Sequence, residues 1–186
     1  MARGANMYGL VNKAVVDLVT SKFGVETWNK IKQKAEVDID VFVSMDGYPD
    51  DVTYRLVGAA SEVLKITPEQ VLEAFGEYWV LYTANEGYGP LLNASGSSLR
   101  EFLKNLDALH ARVALTMPNL KPPRFRLIDV DDKTMRLEYH STRQGLAPMV
   151  VGLLRGLGIR FNTTLDISHT RREDHDEFTL RVQQAA

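Results

Sequence analysis

The chain has 186 residues, 45% hydrophobic and 25% charged, enough for one sizeable core or for two sub-domains that share one. Its formal charge of -2 gives no broad basic field, which argues against nucleic acid or an acidic membrane as partner. The absence of cysteine excludes disulfides, thiolate metal sites and a cysteine nucleophile, and leaves histidine as the main candidate to bind a soft or borderline metal.

No stretch has the apolar length of a signal peptide or a membrane span. The longest apolar runs, such as Met149 to Leu154, are far too short, so a cytoplasmic protein is expected. Residues before Met7 read as an extension, natural or engineered. Leu10, Val11, Ala14, Val15, Leu18 and Val19 recur at helical spacing, with Gly24 as the stop. Trp28, Ile31 and Ala35 mark a second helix. A turn-rich Met45 to Asp50 follows, whose aspartates can cap a third helix bearing Val52, Leu56, Val63 and Leu64. Thr67-Pro68-Glu69-Gln70 is a capping box with proline in the first turn, and it opens a fourth helix whose stripe is Leu72, Phe75, Trp79 and Tyr82. From Thr83 to Ser97 the chain is rich in Gly, Asn and Ser and reads as a loop at a seam between sub-domains.

Ser98 to Val113 is the most informative segment. Leu99, Phe102, Leu103, Leu106, Leu109 and Val113 form one amphipathic stripe, Ser98 and Glu101 form a capping box, and His110 lies on the apolar side. A buried neutral imidazole needs a partner, either a protein hydrogen bond or a metal, and this helix alone does not separate a core histidine from a ligand. Pro118, then Pro122 and Pro123, end the helix near Met117. The period then changes to two. Phe125 and Leu127, then Met135, Leu137 and Tyr139, flank the turn residues Asp131 and Asp132 as an antiparallel hairpin. Leu146, Met149, Val150, Leu153, Leu154 and Leu157 return to helical spacing with Gly158 as the stop, and Leu165, Ile167, Phe178, Leu180 and Val182 complete two further strands.

This order implies an α+β fold. A helical amino-terminal sub-domain, about residues 7–92, packs on a carboxyl-terminal one, about 93–186, that carries the histidine helix and a four-stranded antiparallel sheet, all within one domain.

Period two carries the inward face of the second hairpin strand from Met135 and Leu137 to Tyr139, Ser141 and Arg143, so that this face ends in a phenol, a hydroxyl and a guanidinium. Such a row either terminates a strand on nearby backbone or holds one or two carboxylates. His140 points the other way, toward solvent. A porphyrin has two propionates and an iron that takes an axial imidazole, so His110 and the row would serve both ends of one cofactor.

The Met-Tyr-Gly-Leu-Val-Asn run from Met7, the Phe-Gly-Glu-Tyr-Trp run from Phe75, Asn105-Leu106-Asp107-Ala108-Leu109-His110 and Tyr139-x-Ser141-x-Arg143 together resemble H-NOX, the haem nitric oxide/oxygen binding family. That family includes bacterial stand-alone members and the haem domain of soluble guanylate cyclase. The resemblance implies haem b (iron protoporphyrin IX) with His110 as proximal iron ligand and Tyr139, Ser141 and Arg143 on the propionates. It also implies that Pro123 distorts the haem and that Leu106, Leu109, Val11, Trp79, Met149 and Leu153 lie in the pocket. Family members that hold oxygen have a distal tyrosine near Met149, and methionine cannot donate a hydrogen bond, so the implied ligands are NO and CO with little stable oxygen binding. The implied output is a separate effector, a sensor histidine kinase or a cyclic-di-GMP enzyme. Two rival classes stand beside it. One is a metal-dependent or haem enzyme, for which His169, Glu173, Asp174, His175 and Asp176 offer a cluster that otherwise reads as a solvated loop. The other is a cofactor-free interaction module.

Overall fold

The computed structural model describes residues 6–117 and 120–183. The histidine helix, expected to run to about Met117, ends at Ala114; Pro118 and the first residues of the amino-terminal extension lie outside the described residues. The architecture is α+β.

Strand β1 (Asn6–Tyr8) pairs antiparallel with β2 (Gly47–Pro49), so part of the expected turn at 45–50 is a short strand. Helix α1 (Gly9–Phe23) starts where the Gly9 N–H donates to Asp46 O, and a Cβ there would lie 2.0 Å from Val43 O. It stops at Gly24, whose φ of 82° suits glycine. Helices α2 (Val25–Lys34) and α3 (Asp50–Leu64) follow. Asp50 and Asp51 lie in the first turn of α3, where carboxylates favour the helix dipole, but the N-cap itself is Pro49. Helix α4 (Pro68–Thr83) carries the full capping box: Gln70 N–H donates to Thr67 Oγ1 at 3.2 Å and Thr67 N–H to Gln70 Oε1 at 2.9 Å.

The expected loop from Thr83 to Ser97 is a correction: it holds a widened turn, Ala84–Tyr88, kinked at Gly87 (φ 91°), and a short helix α5 (Gly89–Asn93). The histidine helix also differs. It is divided at Asn105 into α6 (Leu99–Lys104) and α7 (Leu106–Ala114), where the Asn105 amide donates to Ser95 O at 2.9 Å and its backbone leaves helical geometry. Ser98 Oγ caps Glu101 N–H, but the Glu101 carboxylate turns to the N–H and hydroxyl of Ser97 instead of closing the box.

Strands β3 (Arg124–Asp129) and β4 (Thr134–His140) form the expected hairpin, then comes α8 (Ala147–Arg160), then β5 (Leu165–Arg171) and β6 (Asp176–Val182). The sheet order is β3-β4-β6-β5, antiparallel throughout. Gly158 is not the stop of α8, which continues to Arg160. A Cβ at 158 would meet Thr163 O at 2.7 Å, so the glycine serves close packing.

Two apolar clusters result. Leu10, Leu18, Ile31, Leu56 and Phe75 anchor the helical one, and Leu103, Met135, Leu137, Leu154 and Phe178 the one beneath the sheet. Helix α4 feeds both, through Phe75 and Val80, and α8 lies directly against it. A Cβ on Gly76 would sit 2.1 Å from Met149 O, and one on Gly152 2.0 Å from Glu73 O. Adding that methyl must separate the two backbones. Gly76→Ala and Gly152→Ala are each expected to lower stability by about 1–3 kcal/mol. Gly58→Ala on α3, where nothing lies within 4 Å of the added carbon, is expected to raise it by about 0.4–1 kcal/mol. Urea midpoints of the three variants check the opposite signs.

Candidate functional site

Between α1, α4, α7, α8 and the end of β4 lies a cavity of about 310 Å³, within the range of small-molecule sites. Its walls are mainly aliphatic and aromatic, with polar groups concentrated near the end of β4.

His110 enters the cavity from α7. The kink at Asn105 leaves the stripe in phase, since Leu103, Leu106, Leu109, His110 and Val113 all face the cavity. The His110 Nδ1 atom is sealed from solvent and has no hydrogen-bond partner among the described residues. Burial pulls its pKa below the ordinary 6.5, opposed by the nearby Asp107 carboxylate. The ring is therefore held neutral in a place where a lone pair or an N–H lacks a partner. Asp107 also accepts the Phe125 N–H at 2.8 Å, tying α7 to β3, and the Phe125 ring lies 5.8 Å from the imidazole and 5.3 Å from Tyr139. Alternation along β3 marks Phe125 as an apolar hairpin residue but carries no sign of its place beside His110.

At the polar end, Tyr139, Ser141 and Arg143 all line the cavity, but β4 ends at His140, so alternation places Tyr139 while Ser141 and Arg143 reach the cavity from the bend that follows the strand. Burial pushes the Tyr139 phenol up, eased by its hydrogen bond with Ser141 and by the Arg143 charge. Ser141 Oγ accepts the Arg143 N–H at 3.1 Å. Arg143 donates to Lys121 O at 3.0 Å and forms an ion pair with Asp50, Nε to Oδ2 at 2.8 Å, with both side chains largely buried. Asp50 was legible only as a helix-start residue. Nothing local links it to an arginine 93 positions away.

Pro123 lines the cavity on the approach to β3. Val11 faces it from α1, Trp79 from α4, and Met149 and Leu153 from α8. Trp79 also packs against Phe75 and Tyr82, with centroids 5.9 and 6.1 Å away. Each residue singled out from the sequence for this pocket is thus at its wall. Thr53 on α3 joins them and donates to Asn12 Oδ1 at 2.8 Å, a buried contact whose two members lie far apart in sequence.

The acidic and histidine cluster near the carboxyl end does not converge as one group. His169 stacks on Phe178 with centroids 5.0 Å apart and bonds Asp176 at 2.8 Å. Asp174 and His175 lie instead with His140, which is half-buried rather than simply facing solvent.

Comparison with known proteins places these features in context. A family model described as Haem-NO-binding matches residues 8–169. The chain is 32% identical over 178 residues to soluble guanylate cyclase gcy-35 of Caenorhabditis elegans, covering 92% of this chain and 26% of the relative. To guanylate cyclase soluble subunit beta-2 of Rattus norvegicus it is 35% identical over 127 residues, covering 63% and 18%. The chain thus spans about a quarter or less of the length of these relatives. Its structure superposes on an H-NOX protein from S. oneidensis in the Fe(II)NO ligation state with a TM-score of 0.86 at 21% identity, covering 96% of this chain and 100% of that one. An Fe(II) unliganded H-NOX protein from K. algicida gives 0.83 at 21%, covering 96% and 98%.

The depressed His110 pKa sets a pH dependence. The unfolded chain takes up a proton near the ordinary value of 6.5 while the folded chain resists it, so this contribution to stability is present above about pH 6.5 and is lost as pH falls through the lower folded value. Urea midpoints of the ligand-free protein are expected to fall between pH 7 and pH 5 more steeply than those of His110→Leu.

Proposed function

The chain belongs to the Haem-NO-binding family, and from that premise we propose that it is a haem-based gas sensor with His110 as the axial ligand. The observation that carries this reading is the His110 imidazole, whose sealed Nδ1 has no hydrogen-bond partner among the described residues, set in an apolar cavity that ends in Tyr139, Ser141 and Arg143. These residues fit iron protoporphyrin IX at both ends. The imidazole suits iron, and the row supplies hydroxyl donors and a positive charge for the two carboxylates. The Arg143 guanidinium, held by Asp50 and by Lys121 O, brings a positive charge to this end of the cavity. When bound, the ferrous haem supplies reversible coordination of NO or CO.

The protein's part is positioning. His110 ties α7 to the cofactor, Tyr139, Ser141 and Arg143 tie β4 to it, and Pro123 presses from the His110 side. Val11, Trp79, Met149, Leu153, Leu106 and Leu109 keep water away. His110 would hold the haem, whose gas chemistry would reach the protein through that tether, so that α7 would move relative to Pro123 and the helical part, about residues 7–92, would shift against the remainder. A partner that binds the two shapes with different affinity reads the change, since a ligand shifts an equilibrium only through such a difference. We assign this sensing role no catalysis of its own and place the protein in the cytoplasm; among the described residues no helix is long and apolar enough to cross a membrane. Its output passes to a sensor histidine kinase or a cyclic-di-GMP enzyme. A cofactor-free module gives no reason for a cavity-wall imidazole whose Nδ1 has no partner among the described residues.

Met149 offers a thioether where a hydroxyl would be needed to hold oxygen, so little stable oxygen binding is expected. The purified protein, reduced, is expected to show a Soret band that moves with CO and with NO and does not take an oxygenated form in air. Met149→Tyr is expected to gain one. A preparation that stays colourless with added hemin overturns the cofactor assignment. His110→Ala is expected to lose the axial-histidine spectrum, and a variant that binds haem with that spectrum unchanged overturns the mechanism.

A further inference from the structure

The outer face of the sheet carries a second group of ligating side chains, on the opposite side of β4 from the cavity. His140 ends β4, while Asp174 and His175 lie in the turn between β5 and β6, which is closed by the Arg172 N–H donating to His175 O at 2.9 Å. One candidate ligand atom from each of His140, Asp174 and His175 lies within 4.8 Å of the others. The two imidazoles face one another with centroids 4.9 Å apart and planes 31° apart.

His175 is already oriented as a ligand. Its Nδ1 bonds Asp174 Oδ1 at 2.7 Å, and a carboxylate can only accept, so Nδ1 carries the proton and the neutral ring presents its lone pair at Nε2. That Nε2 atom is sealed from solvent and has no hydrogen-bond partner among the described residues. In the metal-free protein this bond parks the Asp174 carboxylate against His175, and metal binding exchanges it for coordination by Asp174. Glu138 on the same face places a carboxylate oxygen 3.7 Å from His140 Nε2, adding negative charge beside the group. Arg124 stands opposite His140 in the β3–β4 register, and its exposed side chain offsets part of that field.

We propose that His140, His175 and Asp174 bind a divalent transition-metal ion of borderline hardness, with zinc as the natural occupant. Two imidazoles and a carboxylate are a three-ligand zinc set with a fourth position left for water. Donors around a tetrahedral zinc with bonds of about 2.0–2.1 Å lie roughly 3.3 Å apart, so the ligands draw together by rotation of side chains on a strand end and a turn. Binding clamps the β5–β6 turn to the end of β4 that presents Tyr139 and Ser141 to the cavity.

The test is zinc binding by tag-free protein stripped with EDTA, followed by calorimetry and by metal analysis after desalting. It uses a His110→Ala background so that the cavity imidazole cannot contribute. One zinc per chain is expected, with a dissociation constant in the micromolar range or below and a rise in melting temperature. His140→Ala and His175→Ala are each expected to weaken binding at least tenfold, while His169→Ala, on the opposite face, is expected to leave it unchanged. No uptake at 100 µM zinc, or equal uptake by the His140→Ala/His175→Ala double variant, overturns the site. Circular dichroism shows that each variant is folded, and none of these readouts depends on haem.

Discussion

The close approach of α4 and α8 is the constraint on which the rest of the structure depends. Gly76 and Gly152 bring the two backbones to a separation at which no Cβ fits, locking a helix from the amino-terminal half against one from the carboxyl-terminal half. Both helices contribute to both apolar clusters, α4 through Phe75 and Val80 and α8 through Met149 and Leu154, so the two are joined along this contact. The cavity lies beside this contact, with Trp79 on one helix and Met149 and Leu153 on the other facing it. A methylene or two at the glycines would alter the spacing of the walls as well as the stability.

Within that frame the chemistry is polarised. One end of the cavity offers an imidazole kept neutral by burial, and the other offers hydroxyls and a guanidinium held in place by Asp50 and Lys121 O. The Asp50–Arg143 pair joins the start of α3 to the segment after β4, so the polar end is fixed from both halves of the chain. Aromatic contacts from His110 through Phe125 to Tyr139 connect the two ends along one wall. A group with a metal centre and an acidic rim matches this distribution of an imidazole at one end and donors with a positive charge at the other.

Strand β4 serves two environments because its side chains alternate. Met135, Leu137 and Tyr139 are buried on the inner face, while Arg136, Glu138 and His140 take the outer one with Glu177 and His175. A rigid strand between the faces gives any ligand held outside at His140 a short covalent path to Tyr139 and Ser141 inside.

Periodicity along the chain was enough to establish the α+β class, the helices ended by Gly24 and begun by Thr67, the hairpin and the inward direction of His110 and Tyr139, whereas Ser141 and Arg143 lie past the end of β4. These are properties of neighbouring residues: which side of a helix or strand is apolar, and where a cap or a turn residue interrupts it. Tertiary structure alone decided the break at Asn105, which depends on a carbonyl at Ser95, and the pairing of the short strands β1 and β2 across α1 and α2. It also decided the continuation of α8 through Gly158, the Asp50 partner of Arg143 and the meeting of His140 with His175. In each case the deciding partner lies outside the local pattern, brought near only when the helices and the sheet pack. A face can be read from its own spacing, but what it meets depends on how the whole chain folds back.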